Sequence, residues 1–521
     1  MKKIFKRYLL VFGVGSAIMF SSCQKYLDVN IDPNNPSTAD EKLLLPAAEL
    51  AVGIGLGDRY NNITALWAQY WVGGPGVSQT AWDRHELQAQ TMDRPWSIFY
   101  STAGQDLATL IKSPKPVYRG MAKILMAYNM QLLVDLHGDV PFSEAFKGAI
   151  EDGSITSPKS DNQTEIYDAI VGLINSGQAD ILGADQKLDE FPFAQDLIYG
   201  ETFWKIYGLH ADGNENDPDL LNIQYGWNTF GNSLKLKIWL RQSNAAGRSA
   251  AAKDSVAALY DNGASFADWE TQINGFNGTA AATLNVNPLY ANLENSLKNF
   301  YVGTTTSIDF LNARGDIRID NFYTPASTGP DAGNQIGIDP GSAGQPGVPL
   351  SKSEVSTISN DVYYGGAPVI LLNWSESLFL QAEAAARQWS AEDDQDLFNQ
   401  AVAASFAENG YDPEGVEVED HLTLNPYDAV DEASKIRSIS LEKWVSMNGR
   451  QPTEAWIECR RFDTPGNNIF RGIGGLFKSP TANVLGANIF PSMFVYSQRE
   501  LSLNQNAPTP TVVTGKVFWD N

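Results

Sequence analysis

The chain has 521 residues, and 61 Asp and Glu outweigh 37 Lys and Arg to give a formal net charge of −24. So acidic a surface excludes nucleic acid and flat anionic membranes as natural partners. With only Cys23 and Cys459 there is no disulfide framework, so stability must come from burial, which a chain of this length supplies.

In chain order, Lys2, Lys3, Lys6 and Arg7 form a basic segment, Tyr8 to Phe20 is almost uninterrupted apolar chain, and Ser21-Ser22-Cys23 closes it. This is the pattern of a secretion signal, with an apolar run too short to span a bilayer. A cysteine directly after the small residues resembles a bacterial lipoprotein signal, so residues 1–22 are expected to be removed and Cys23 to carry lipid. Phe20 stands where such signals more often have Leu. An ordinary signal cut elsewhere is the alternative. Several acyl chains, at about 0.8 kcal/mol per buried methylene, would make the attachment essentially permanent. The expected product is a globular protein tethered by lipid to a membrane outside the cytoplasm.

Residues 23–521 are expected to form a single, mostly α domain. A polar Asn- and Pro-rich stretch, residues 24–40, leaves the anchor. Helical patterns dominate about 41–263 and 370–465, for example Met121, Ile124, Leu125, Tyr128 and Leu132 at helical spacing. Between them, about 264–368 is rich in Asn, Gly, Thr and Pro and reads as irregular. Paired helices invite comparison with helical repeats, although no clean period of about 34 residues is present.

Six segments carry a more specific likeness. Cys23-Gln24-Lys25-Tyr26-Leu27-Asp28 opens the mature chain. Asp135 to Phe142 (DLHGDVPF) reads as a turn after a helix. Trp227 to Arg241 (WNTFGNSLKLKIWLR), Trp374 to Arg387 (WSESLFLQAEAAAR) and Ser440 to Pro465 (SLEKWVSMNGRQPTEAWIECRRFDTP) read as helices, and Tyr496 to Asn504 lies near the end. Together they resemble the SusD/RagB family of outer-membrane nutrient-binding lipoproteins, nearest the SusD-like type 2 branch. Lys237 stands where the family usually has Arg, and Ser497 where it has Pro. The resemblance implies tetratricopeptide-like helix pairs supporting a long, loop-rich region that binds ligand. It also implies a SusC-like TonB-dependent outer-membrane transporter as partner, and capture of oligosaccharides, glycoprotein glycans or peptides without cleavage.

Read physically, these motifs are scaffold. Gly138 suits a helix end and Pro141 keeps the helix from resuming. Asp135 and Asp139 are expected to accept backbone hydrogen bonds or pair with Arg460 or Arg461. Glu376 and Glu383 share a helical face and are read as locks on a neighbouring helix rather than as a catalytic pair. Trp444 and Trp456 beside basic residues read as packing with cation–π support.

Ligand contacts are sought in loops, where aromatic rings can stack on sugar faces and polar side chains can meet hydroxyls. Two stretches qualify. One holds Tyr70, Trp71, Trp82, Arg84 and Gln88 around Gly73-Gly74-Pro75-Gly76; the other holds Tyr290, Tyr301, Asn321 and Tyr323. Trp82 is the leading candidate, followed by Trp71, Tyr70, Arg84, Tyr290, Asn321 and Tyr323. Ordinary packing beneath loops is the plainer reading for any one ring. Trp67 and Trp96 are assigned to the core.

Asp212, Asn214 and Asn216 offer oxygens that calcium accepts, but Asp217 stands where an EF-hand needs Gly and Ile223 where it needs Glu. A solvated acidic loop is the simpler reading, and no other cofactor is expected. His85, His137, His210 and His421 lack zinc-ligand spacing, and no nucleophile elbow or phosphate loop occurs. Cys459 reads as a buried small residue. The sequence offers no catalytic constellation, so the expectation is a binding protein for oligosaccharides. A peptide binder on the same scaffold, a lipid-anchored hydrolase and a subunit without a ligand remain alternatives.

Overall fold

The computed structural model describes residues 40–75, 81–148, 153–184, 192–201, 219–278, 286–291, 301–362, 364–509 and 511–520. The signal, Cys23 and the Asp212, Asn214 and Asn216 stretch lie outside these residues.

Asp40 starts helix α1 (Glu41–Gly55) by accepting the Lys42 amide at 3.0 Å, the N-cap role that suits a short carboxylate. The helical path then widens into a π turn at Leu56–Tyr60 before α2 (Asn61–Trp67). Helices α3 (Pro116–His137) and α4 (Gln163–Leu182) pack closely together. Pro116 occupies the first turn, where its missing amide costs nothing. The predicted stripe of Met121, Ile124, Leu125, Tyr128 and Leu132 is buried. A methyl group on Gly120 would lie 2.6 Å from the Gly177 carbonyl oxygen, so the bare backbones set how near the two helices come. Helix α3 stops at Gly138, whose φ of +82° is cheap only without a side chain.

Helix α4 packs on α5 (Asp219–Arg241), which in turn carries α6 (Ser249–Asp261). The second helical region pairs α7 (Trp374–Ala386) with α8 (Asp394–Glu408) and adds α9 (Glu432–Ser446) and α10 (Pro452–Phe462). Helix α10 returns to α2, tying the second region to the first. The mostly α architecture of tetratricopeptide-like pairs is therefore observed. Among the described residues no helix is long and apolar enough to cross a membrane.

Short strands organise the loop-rich part. They are β1 (Trp71–Gly73), β2 (Val140–Pro141), β3 (Ser160–Asp161), β4 (Thr271–Ile273), β5 (Tyr301–Gly303), β6 (Tyr323–Thr324), β7 (Thr357–Ile358) and β8 (Val369–Leu372). A four-stranded sheet runs in the order β1-β5-β7-β6, and β2-β3 and β4-β8 form antiparallel pairs. In the larger sheet Trp71 faces Gly303 and Gly73 faces Tyr301, which draws the segment after α2 against residues far along the chain.

The motif residues meet in a charged interior. Arg241 is fully buried and donates to Asp135 at 3.1 Å, to Glu454 at 2.6 Å, and to Glu458. Arg461 forks onto Glu383 at 2.6 and 2.5 Å and also reaches Glu458, which Lys443 meets at 2.7 Å. Lys237 pairs with Glu376 at 2.7 Å. Burial alone would raise the Glu458 carboxyl, but Arg461, Lys443 and Arg241 hold it well below its ordinary value. Glu376 and Glu383 thus lock neighbouring helices, as expected. Arg460 donates to the Asp135 carbonyl at 2.6 Å and lies 4.0 Å over the Trp456 ring. The Asp139 carboxylate accepts the Gln163 amide at 2.9 Å. Cys459 is buried, and its thiol is pushed up by that burial.

Candidate functional site

The π turn at Leu56–Tyr60 interrupts a buried helical run with Asp58 and Arg59, and such insertions often mark functional positions. Arg59 keeps about a third of its side chain exposed, at 35%, and its guanidinium lies 5.4 Å over the Trp82 ring. Trp82 starts a 3-10 turn, Trp82–Arg84, and is half-buried against the core. Its carbonyl accepts the Trp67 indole N–H at 3.1 Å, which fixes the turn on α2. An indole held this way presents a rigid apolar surface beside five cationic N–H donors.

Beneath this pair, Trp71 and Tyr301 stack with centroids 6.4 Å apart. The Trp71 indole nitrogen and the Tyr301 hydroxyl are buried, and neither has a hydrogen-bond partner among the described residues. An unpaired buried polar atom costs about 1–3 kcal/mol, so two together call for something to bond. Asp83 is buried next to them and accepts the amides of Gly73 and Gly341 at 3.3 and 3.2 Å. Burial raises its carboxyl to about 7, and the two amides and Arg84 work against that rise. Tyr290 is half-buried on the short helix Pro288–Ala291, which rests on the same π turn: the Pro288 ring lies 2.6 Å from where a side chain on Gly57 would begin. Arg84 pairs with Glu86 at 3.3 Å and is half-exposed.

The fold agrees with what comparison finds. Residues 33–208 and 216–469 match the sequence model of the SusD-like type 2 family, described as starch-binding and associating with the outer membrane. The chain belongs to this SusD-like family. The SusD-like fold recurs in a chitin-binding protein at 20% identity, TM-score 0.69, covering 92% of this chain and 100% of the other. It recurs in a chitin-binding SusD homologue from Flavobacterium johnsoniae at 16% identity, TM-score 0.65, covering 91% of this chain and 98% of that one. A SusD homologue from Bacteroides fragilis aligns at 18% identity, TM-score 0.67, covering 92% and 99%. No curated protein matches the chain.

Three expected contacts of this SusD-like chain are corrected by the structure. Tyr70, Trp71 and Tyr323 are 0%, 1% and 0% exposed, so no sugar can stack on their rings as they stand. The Tyr70 hydroxyl donates to the Trp444 carbonyl and its ring stacks on Trp444, 5.1 Å between centroids. The Tyr323 hydroxyl donates to the Tyr70 carbonyl at 2.9 Å. Pairing of β1, β5, β7 and β6 turns all three inward. Asn321 is also committed elsewhere, donating to the Asn409 carbonyl in a small cleft shared with Asp361, Glu408 and Arg450. Trp82, Arg84 and Tyr290 keep exposed surface, and Trp82 lies against Arg59, a residue the sequence reading did not single out. The available signal was an Asp-Arg pair inside an apolar helical run.

Gly57 of the π turn also borders a polar cleft of about 320 Å³, lined by Glu270, Gln272, Asn287, Tyr364 and Arg450 among others. Elsewhere Asp316, His421 and Glu442 bring ligand-type atoms within 4.8 Å of one another. Arg318 donates to both carboxylates, at 2.5 and 2.9 Å, so the trio is satisfied as an ion-pair network.

Proposed function

We propose that this protein captures oligosaccharides outside the cell at the Arg59–Trp82 surface and hands them, uncleaved, to a SusC-like TonB-dependent transporter. Lipid on Cys23 would hold it at the outer membrane, raising its effective concentration at the pore. The observation that carries this reading is the half-exposed Trp82 indole under the Arg59 guanidinium, on the turn that also carries buried Asp83. A pyranose has an apolar face to lie on a ring and hydroxyls to meet the Arg59 donors. The family's starch-binding description and two chitin-binding structural neighbours support the same ligand class.

The test is calorimetric titration of the chain from Gln24 onward with chito- and malto-oligosaccharides and a peptide digest, each mixture then assayed for cleavage. Binding of one glycan class without cleavage is expected. Peptide binding alone would overturn the glycan assignment, and cleavage would overturn capture without chemistry.

A further inference from the structure

A second cleft, of about 400 Å³, opens between the short helix Asp93–Ser97, the π turn Ile98–Gly104, the segment after β2 and the helix Gln498–Leu503. Three rings form one wall. Trp96 and Tyr100 lie 4.9 Å apart at 35°, and Tyr100 and Phe146 lie 5.9 Å apart at 27°. The Tyr100 hydroxyl donates to the Pro141 carbonyl at 2.9 Å, which fixes the middle ring. Phe146 has a left-handed backbone, φ +61°, rarely adopted by a bulky residue. Its ring lies 2.5 Å from where a side chain on Gly104 would begin, so that glycine is what lets the ring lie along the π turn. Strain of this kind persists where surrounding structure enforces it, often at ligand-binding positions.

The opposite edge is polar. Asp93, Gln105, Arg499, Glu500 and Asn504 line it. Arg499 is exposed and forms no ion pair among the described residues, whereas Asn504 is oriented by donating to the Pro158 carbonyl at 2.8 Å. An aromatic wall facing a row of amide, carboxylate and guanidinium groups matches a sugar's apolar face and hydroxyl rim. The volume is at the small end of ligand sites and suits a short saccharide segment. A partner helix would need an apolar groove without that polar edge.

We propose that this cleft is a second glycan-binding site. It rests on the reading that the ligand is a glycan, and it is joined to the first site through one short helix. Asp93 lines the cleft, and its neighbour Arg94 pairs with Asp58, next to Arg59, at 2.5 Å.

The experiment titrates chitohexaose and maltohexaose into the full chain, into Trp82→Ala, and into Trp82→Ala combined with Phe146→Asn or Arg499→Gln. Asparagine tolerates a positive φ, so Phe146→Asn removes the ring without adding strain, while Arg499→Gln changes an exposed side chain and decides the matter if Phe146→Asn unfolds. Trp82→Ala is expected to leave residual binding, which either added change weakens roughly three- to tenfold, the worth of one stacked or charged contact. Residual binding that neither change touches would overturn the second site. Loss of all binding in Trp82→Ala would also overturn it while leaving the proposed function intact. Failure of both sugars to bind the unaltered chain would overturn the glycan reading itself.

Discussion

The charges packed among α3, α5, α7, α9 and α10 and those around Trp82 follow opposite logics. In the interior Asp135, Glu376, Glu383, Glu454 and Glu458 face Lys237, Arg241, Lys443 and Arg461 at contact distance, away from water. At the surface Arg59 lies over an indole, 4.0 Å from Asp58, and the buried Trp71 and Tyr301 donors nearby lack partners among the described residues. The first arrangement is closed, because every group is matched by another on a different helix. The second is open, and open valence is what a binding surface needs. The residues that make the family recognisable belong almost entirely to the closed set, and those that would choose a ligand belong to the open one.

Breaking the closed set should have the largest effect. Arg241→Met strips the paired cation from buried Asp135 and one of the cations facing Glu454 and Glu458, and should cost about 3–5 kcal/mol. Urea unfolding reads this directly, and a loss below about 1 kcal/mol would refute the interlocked picture. A second interior test uses pH. Glu49 is buried beside Asp196, and burial first, then that neighbouring charge, raises its carboxyl well above the ordinary range. The folded state therefore keeps a proton that the unfolded state releases. This contribution is complete below the unfolded value near 4.5 and is lost as pH rises toward the folded value, by at most about 1.4 kcal/mol per pH unit. Glu49→Gln should flatten that slope across mildly acidic to neutral pH. An unchanged slope in thermal melts would show that Glu49 is not its source.

Legibility divides along the same line. Helix positions, the buried stripe of α3, the stop at Gly138 and the role of Glu383 as a lock all follow from spacing and local chemistry, which act over a few residues. The fate of Tyr70 and Trp71 depends on a strand that pairs with residues far along the chain, and that of Tyr323 on the same sheet, and no local pattern announces that pairing. Trp67 and Trp96 are buried, as their apolar neighbours suggest. Arg59 escaped notice because a single inserted residue in a helix re-aims a side chain without disturbing composition or periodicity much.

Smaller effects sharpen the open side of the contrast. Trp82→Ala should weaken glycan binding by about 0.5–1.5 kcal/mol in titration. A matching loss of affinity in Tyr70→Phe, which leaves the buried ring in place, would contradict the division drawn here. Arg84→Ala removes a half-exposed pair with Glu86 and should change stability by less than about 0.5 kcal/mol in melts. Any drop in glycan affinity in that variant then reports on binding alone.

The span of the interior contacts governs how the chain can assemble. The Trp519 indole donates to Asp135 across 384 positions, and the Thr64 and Thr453 hydroxyls meet across 389. Contacts so distant in sequence are slow to form because the intervening chain must first be confined. Arg241 on α5 meets Glu454 and Glu458 of α10 across 213 and 217 positions, so the cations of α5 are only partly matched until α10 packs against them. Incomplete forms expose apolar helix faces that only this distant packing covers, and such faces are where a large chain is prone to associate.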